Sequence, residues 1–539
     1  MEMGYTQKRE KASYAQRSVA MSPRAMVCSS QQLATLAGYR TLARGGNAVD
    51  ASVAMLSMLN VVEPHSVGIG GDAFALIYLE RENKLLGMNG SGRAPHGVTI
   101  EVMRKKGFEK IPERGIHAVT VPGALHGWAE AQQRYGRLDL ATVLEDAIYY
   151  ADNGYPVSEV IAGEWKNAER TLRANPGGAT YLPGGDAPSP GQVFRNADLA
   201  RTLRTLAKGG VGAFYGGEVC DKIVAFSDAH SGLLSIKDFQ DHTTTWIDPI
   251  STDYRGYTVS ELPPNGQGLT ALEMLNILEG YDVRAMGHNS PEYLHLLIEA
   301  KKIAFGDRDY HITDPDFSRV PVDFLLSKEY AARCREKIKE ERAMDPPLPA
   351  VVPGSETVYV AAVDEERNAV SFISSVYMHF GSGVVPDGTG IVLQNRGTSF
   401  SLDPSHPNCL APHKRPMHTI IPAMVFKDGE FLMSFGVMGG DMQPQGHIQF
   451  LANLIDFDMN IQEAVDAPRV RHMEGKEVYL EDGIPPETAT ALERKGHAVV
   501  MPPPLINQVV GGQAIYLDRD QDVLFGGSDR RKDGCALGY

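Results

Sequence analysis

Thr357 combines a hydroxyl group with a position from which it could become the first residue of a chain. The residues just before Glu356, 346–355, contain four prolines and no helical or strand period, which is typical of an exposed connector. Cleavage of the Glu356–Thr357 bond would give Thr357 a free α-amine, whose unperturbed pKa of about 7.7–8.0 suits general-base catalysis. One residue would then supply both nucleophile and base. On this local pattern alone, a linker followed by an ordinary edge strand beginning at a threonine remains open.

Two apolar runs follow Thr357 and would hold it in place. Residues 358–363 form a short apolar run, 364–368 a polar turn, and 369–376 a second apolar run. Such a pattern predicts a β-hairpin. The threonine would therefore stand at the start of a buried strand that continues directly from the connector.

The first half of the chain predicts structural elements and no nucleotide site. Residues 26–30 predict a strand and 31–39 a helix, while 47–56 are apolar almost all round, which indicates a buried helix. The glycines within 64–74 match neither phosphate-loop template, because no Gly-Lys-Ser/Thr follows and the GxGxxG spacing is absent. We therefore expect a glycine turn that leads into a strand at 74–79.

Several motifs in order resemble the γ-glutamyltransferase (glutathione hydrolase) family. They are Val363-Asp364, Asn368-Ala369-Val370, Phe380-Gly381-Ser382-Gly383, Gly388-Thr389-Gly390-Ile391, Lys414-Arg415-Pro416 and Met438-Gly439-Gly440. With the first half, the resemblance covers almost the whole chain. It implies a four-layer αββα sandwich of the N-terminal-nucleophile hydrolase type. It also implies cleavage before Thr357 into a large chain, 1–356, and a small catalytic chain, 357–539, which stay interleaved as a heterodimer that could dimerise further.

The resemblance also assigns catalytic roles. Thr357 falls at the nucleophile, and Ser375 at a hydroxyl that hydrogen-bonds the nucleophile's amine and aids self-cleavage. Gly439 and Gly440 fall at the oxyanion hole, where glycines let backbone N–H groups approach a tetrahedral intermediate closely. No metal or organic cofactor is implied.

The expected substrate pocket departs from that of glutathione-using members. Ser399 replaces the carboxylate that holds the glutamyl ammonium, and Arg396 replaces a glutamine, so an ammonium would meet a like charge. His418 and Thr419 replace the paired serines that bind the α-carboxylate, and Tyr377 replaces an asparagine.

The family's carboxylate-binding arginine is also displaced. Ser91 stands at its position, and Arg93 lies two residues later, beside Ala94-Pro95. Two interpretations of Arg93 stay open: it reaches the same anion from a shifted backbone, or it is only a surface charge. Arg93, Arg396 and His418 together favour an acyl group that has a carboxylate but no amine, such as a glutaryl or oxamate-like amide. This pattern is similar to the branch that contains oxamate amidohydrolases and cephalosporin acylases.

Three hypotheses follow. The first is a self-processing threonine amidohydrolase acting on a small carboxylate-bearing amide. The second is γ-glutamyl hydrolysis or transfer, and the third is an uncleaved, inactive binding protein that would purify as a single 58.7 kDa band. The first two are separated by substrate preference, and the third by the size of the chains.

The composition of the chain argues against nucleic acid and membranes as partners. The net charge of −15 argues against binding to nucleic acid or an anionic membrane, and no 18-residue apolar run exists that could span one. The first ten residues lack an apolar signal core, so we expect a cytoplasmic protein, although many bacterial members of the family are exported. The five scattered cysteines are expected to be reduced and structural. His295 and His311 lack a coherent ligand spacing and are interpreted as parts of solvated helix faces.

Overall fold

The computed structural model describes residue 15 and residues 17–345, 355–502 and 510–539. Apart from Ser355, the predicted connector 346–355 lies outside these residues. Within the described part, helices and strands alternate in the first half, and strands dominate after residue 355.

The helices are α1 (Gln32–Ala43), α2 (Ala48–Val62), α3 (Ile100–Lys105), α4 (Ala124–Tyr135), α5 (Leu140–Val143), α6 (Glu145–Asn153), α7 (Glu159–Ala174), α8 (Ala197–Gly209), α9 (Gly212–Tyr215), α10 (Glu218–Ala229), α11 (Ile236–Gln240), α12 (Gly268–Leu278), α13 (Val283–Met286), α14 (Pro291–His311), α15 (Val322–Leu325), α16 (Lys328–Lys337), α17 (Met442–Ile455), α18 (Ile461–Asp466) and α19 (Pro486–Arg494).

The strands are β1 (Ala20–Ser22), β2 (Met26–Ser29), β3 (Asp72–Leu79), β4 (Lys84–Gly90), β5 (Tyr155–Pro156), β6 (Val193–Phe194), β7 (Thr245–Ile247), β8 (Ile250–Tyr254), β9 (Tyr257–Glu261), β10 (Ser355–Val363), β11 (Ala369–Met378), β12 (Ala423–Lys427), β13 (Glu430–Val437), β14 (Val470–His472), β15 (Glu477–Leu480), β16 (Ala498–Val500), β17 (Gly512–Asp518), β18 (Val523–Ser528) and β19 (Cys535–Gly538).

Two seven-stranded antiparallel sheets form the centre of the fold. The first has the order β19-β2-β10-β11-β3-β4-β7, and the second the order β1-β18-β17-β13-β12-β9-β8. Strands from before and after residue 357 stand side by side in both sheets. The two halves of the chain therefore share one core instead of forming separable domains.

Three apolar layers explain the sandwich. Phe74, Tyr359, Met424 and Ile515 belong to the cluster between the two sheets. A second cluster joins the first sheet to the helices around α2, and a third joins the second sheet to those around α12 and α14. Because both sheets are buried on both faces, their strands read as continuous apolar runs. The predicted four-layer αββα arrangement is confirmed.

The predicted hairpin forms the middle of the first sheet. β10 pairs with β11 on one side and with β2 on the other, so it is an internal strand, and the edge-strand alternative is wrong. The predicted buried helix is α2, whose Asn47 side chain caps the backbone of Val49 and Asp50, and every residue of which is buried.

The glycine turn before β3 lies against the β10–β11 hairpin and the segment that follows it. A Cβ atom on Gly71 would come within 2.3 Å of the Ser375 carbonyl oxygen, and one on Gly70 within 2.1 Å of the Val392 carbonyl oxygen. Only glycine allows this close approach, which agrees with the structural role expected for the turn.

Two further expectations can be compared with the fold. All five cysteines have free thiols in the structure. Among the described residues, we find no helix whose length and hydropathy would let it cross a membrane.

Candidate active site

Thr357 lies where the register of the central hairpin shifts. Glu356 pairs with Tyr377 and Val358 with Ser374, so Ser375 and Val376 of β11 together oppose the single residue Thr357. This is the geometry of a β-bulge, which re-aims side chains at functional sites. The Thr357 hydroxyl donates to the Ser375 hydroxyl over 3.4 Å, and both residues are buried. The structure thus brings together the predicted nucleophile and the predicted assisting hydroxyl.

Gly439 and Gly440 form the turn between β13 and α17. Their φ angles are +101° and +56°, a region of backbone space that favours glycine. The Gly439 carbonyl accepts from the Met442 N–H, and the Gly440 carbonyl from the Gln443 N–H. The turn is therefore anchored through its carbonyl groups at the start of a buried helix.

A cavity of about 480 Å³ is lined by sequence neighbours of both features, although Thr357, Ser375, Gly439 and Gly440 are not among its lining residues. Tyr377, two residues after Ser375, and Asp441, next to Gly440, form part of its wall. Its lining residues are Lys110, Ile111, Glu113, Arg308, Asp309, Ile312, Tyr377, Thr398, Ser399, Phe400, Ser401, His406, Asn408, Met417, Thr419 and Asp441. Of the predicted substrate residues, Tyr377, Ser399 and Thr419 face this cavity, whereas Arg93, Arg396 and His418 are not part of its lining.

Arg396 contacts Tyr377 but is not itself part of the cavity lining. Its guanidinium carbon is 3.8 Å from the centre of the Tyr377 ring, and its Nη1 donates to Thr419 Oγ1 over 2.9 Å. Within the described part of the chain, its buried Nε and Nη2 atoms have no hydrogen-bond partner. Burial lowers the pKa of Arg396 to about 10, so the side chain stays charged at neutral pH.

His418 is buried and bound to Asp72. Its Nδ1 accepts from the Ile420 N–H, so its Nε2 carries the proton and donates to Asp72 Oδ2 over 3.0 Å. Burial and then the charge of Arg396 lower the pKa of His418 to about 4. The imidazole is therefore neutral near pH 7, and it buttresses the wall instead of presenting a cation.

Arg93 lies away from the cavity lining. Its Nη1 contacts the Thr243 carbonyl oxygen at 3.5 Å, and Arg415 Nη2 donates to the same oxygen. Ser91, which occupies the family's arginine position, is buried and donates to Asn89 Oδ1. Neither residue meets Arg396 in this structure.

Three residues absent from our sequence prediction connect the glycine turn to the cavity wall. Gln267 Nε2 donates to the carbonyl oxygens of Thr419 and Gly440 over 2.6 and 2.9 Å. Arg308 Nη1 donates to Gln267 Oε1 and to Asp441 Oδ1. Gln267 follows a Pro-Pro loop, Arg308 lies within α14, and Asp441 follows the two glycines. Their local sequence signal is weak, because no periodicity marks side chains that converge from three elements.

His295 is buried, so the expectation that it lies on a solvated helix face is wrong. The residue is 2% exposed, its Nδ1 lies 2.8 Å from His497 Nε2, and Glu299 stands one helical turn further along α14. Sequence inspection missed this cluster because His497 is far away along the chain.

Two antiparallel sheets between helical layers, with a buried threonine at the start of an internal strand, define the fold of the N-terminal-nucleophile hydrolases. The Gamma-glutamyltranspeptidase family model matches residues 34–539. The glutathione hydrolase-like YwrD proenzyme of Bacillus subtilis is 42% identical, over 95% of this chain and 98% of its own length. The oxamate amidohydrolase proenzyme of Klebsiella pneumoniae is 35% identical, over 96% and 99%.

A comparison with solved structures gives the same family. The cephalosporin acylase from Bacillus halodurans matches with a TM-score of 0.92 and 45% identity, covering 100% of this chain and 99% of that one. The chain belongs to the gamma-glutamyltranspeptidase family, whose members here include hydrolases and acylases with proenzyme names. The family and the branch expected from the motifs are confirmed, and the protein is an enzyme of the amide-hydrolysing class.

Proposed function

We propose that this protein is a self-processing threonine amidohydrolase. Cleavage before Thr357 would yield chains 1–356 and 357–539, which stay together as a heterodimer because their strands share both sheets. The Thr357 hydroxyl would attack the amide carbonyl while its new α-amine takes up the proton and passes it to the leaving amine. Water would then release the acid from the acyl-enzyme.

The neighbouring groups suit these steps. Ser375 already receives a hydrogen bond from the Thr357 hydroxyl and another from the Tyr377 N–H. It would orient the nucleophile and, before cleavage, assist the attack on the preceding peptide bond. Gly439 and Gly440 would donate backbone N–H groups to the oxyanion, an interaction typically worth about 10²–10³ in rate for each donor.

We propose that the acyl group carries a carboxylate, as glutaryl and oxamate-like amides do. The observation that carries this proposal is the unpartnered edge of Arg396, because Nε and Nη2 are the two parallel donors that hold a carboxylate bidentately. A buried guanidinium with two unsatisfied donors is costly, and a bound carboxylate would remove that cost. The relative from Klebsiella pneumoniae that bears the name oxamate amidohydrolase supports the same class of acyl group.

The carboxylate would meet Tyr377 before it met Arg396. Tyr377 lines the cavity, and its ring lies against the guanidinium carbon of Arg396. Burial raises the pKa of its phenol, so the side chain is neutral. We propose that the ring shifts when substrate binds and so opens the free edge of Arg396. Thr419, which already binds Nη1, would keep the guanidinium in place.

γ-Glutamyl hydrolysis is the second candidate. Asp441 lines the cavity and carries a carboxylate that could accept the ammonium of a γ-glutamyl group. Against this, Asp441 Oδ1 is already bound to Arg308 at 2.6 Å.

One assay decides between the two candidates. Purified enzyme would be offered glutaryl-p-nitroanilide and γ-glutamyl-p-nitroanilide, and we expect higher kcat/KM for the glutaryl amide. Arg396→Gln should lower kcat/KM for the glutaryl substrate by about 10–100-fold, since a hydrogen bond to a charged group contributes about 1.5–3 kcal/mol. Arg93→Gln, which removes a guanidinium outside the cavity lining, serves as the matched control and should change little.

A clear preference of the wild type for the γ-glutamyl amide would overturn the glutaryl proposal and support the second candidate. Melting temperature and the extent of chain cleavage would be recorded for both variants, because Arg396 is fully buried. An Arg396→Gln enzyme that is folded, cleaved and fully active on the glutaryl amide would also refute the carboxylate role.

A further inference from the structure

A cluster of imidazole and carboxylate groups lies in the helical layer outside the cavity described above. His295 and Glu299 project from adjacent turns of α14, and His497 precedes β16. One nitrogen of each histidine and one carboxylate oxygen lie within 4.8 Å of one another, and all three residues are buried. The set of two histidines and one glutamate is a common zinc ligand set in proteins.

The hydrogen bonds of the histidines leave lone pairs available. His295 Nε2 lies 2.8 Å from the Lys339 carbonyl oxygen, so this nitrogen carries the proton and Nδ1 keeps its lone pair. His497 Nε2 therefore donates to His295 Nδ1 over 2.8 Å, and His497 Nδ1 has no partner among the described residues. Metal-binding histidines commonly donate their second nitrogen to a backbone carbonyl, as His295 does.

Glu299 can bind a cation while it keeps its present partners. Its Oε1 accepts from Lys302 Nζ over 2.8 Å, and its Oε2 accepts from the Met344 N–H over 2.9 Å. Each carboxylate oxygen has two acceptor positions, so one remains on each atom. The buried ammonium of Lys302 forms an ion pair with the same carboxylate. Its positive charge therefore opposes the binding of a second cation here.

We propose that His295 Nδ1, His497 Nε2 and the Glu299 carboxylate bind a divalent transition metal of the zinc type, with water as the fourth ligand. The metal takes the place of the proton between the two histidines, and that proton moves to the free Nδ1 of His497, so the pair releases none.

The proposed metal would join two parts of the chain. His295 and Glu299 precede residue 357, His497 follows it, and the backbone of Met344 is tied to Glu299 just before residue 346. A metal here would hold the end of the large segment against the small one. The proposal stands on this geometry and does not depend on which amide the enzyme hydrolyses.

The test uses the full-length enzyme as purified, treated with a chelator and then dialysed. Zn²⁺ would be titrated by calorimetry, and Co²⁺ would be added to record its visible absorption bands. We expect one equivalent to bind, and His497→Gln to weaken binding by more than about 100-fold, since even loss of a group that merely orients a ligand costs about 10–100-fold. His311→Gln, on the same helix but outside the cluster, is the matched control and should bind as the wild type does.

The variant Lys302→Met tests for a gain in Zn²⁺ affinity, which misfolding could not produce. Removal of the competing ammonium should tighten Zn²⁺ binding relative to the wild type. The proposal is overturned if His497→Gln binds Zn²⁺ with wild-type stoichiometry and affinity, or if the wild type binds less than one equivalent. It is equally overturned if Lys302→Met binds no tighter than the wild type.

Discussion

The hydroxyl groups of Thr357 and Ser375 lie 3.4 Å apart at the bulge between β10 and β11. A regular ladder would have placed one residue of β11 opposite Thr357, whereas the bulge places two there. The Ser375 hydroxyl also accepts from the Tyr377 N–H. The bulge therefore brings the predicted nucleophile on β10 next to Ser375 of β11, two residues before Tyr377 in the cavity wall.

Replacement of the nucleophile should abolish both processing and turnover. Thr357→Ala should remain a single chain of 58.7 kDa on a denaturing gel, while the wild type separates into two bands. Its rate on the preferred amide should fall by on the order of 10⁶, the loss typical when a nucleophile is removed. Thr357→Ser keeps the hydroxyl and should still be cleaved. A Thr357→Ala protein that is cut at this bond and remains active would exclude Thr357 as nucleophile.

A methyl group on the glycine turn should disturb the oxyanion site. In Gly439→Ala, the new Cβ atom would lie 2.1 Å from Val510 Cγ2, at a φ of +101° that alanine rarely adopts. We expect kcat to fall by about 10²–10³, because the N–H donors move. Gly475→Ala is the control, since Gly475 also has a positive φ but no atom within 4 Å of its Cβ position. Equal kcat in the two variants would contradict the assigned role.

Gln267 should act on catalysis through the glycine turn. Gln267→Met removes the two hydrogen bonds to the Thr419 and Gly440 carbonyl groups and the one from Arg308. With about 1 kcal/mol for each bond, kcat should fall about tenfold to a hundredfold while KM changes little. Gln521→Met, in the β17–β18 turn, should leave both constants unaltered. A rise in KM with unchanged kcat would show that Gln267 binds substrate instead.

The lowered pKa of His418 predicts that the free energy of unfolding falls in mild acid. Burial lowers its pKa from the usual 6.5 to about 4 in the folded state, so the unfolded chain takes up more protons between these values. The stabilisation is complete above pH 6.5 and declines as pH falls toward 4. At pH 4.5 the loss of unfolding free energy relative to neutral pH amounts to about 2–3 kcal/mol for this one group.

Urea unfolding of the uncleaved Thr357→Ala chain between pH 7 and 4.5 would measure this dependence. His418→Gln in the same background should show a shallower decline of the unfolding free energy. Identical slopes with and without the imidazole would mean that His418 does not contribute to the acid sensitivity.

The sequence by itself determined the elements whose signals are local. The apolar runs on either side of 364–368 predicted the hairpin, and the stretch 47–56, apolar almost all round, predicted a buried helix. The order of the glycine and Lys-Arg-Pro motifs predicted the family and its layered fold. The hairpin and the helix depend on residues a few positions apart, where periodicity and turn chemistry are sufficient. The family and its fold were implied by the resemblance of the motifs.

Only the tertiary structure decided how distant side chains meet. It placed Arg396 behind Tyr377, left His418 neutral against Asp72, and kept Arg93 outside the cavity lining. It also brought His497 to His295 across 202 positions of the chain. The physical reason is that such contacts are set by the packing of helices and sheets against one another, which fixes the distances between elements and is not encoded in the pattern of any single segment.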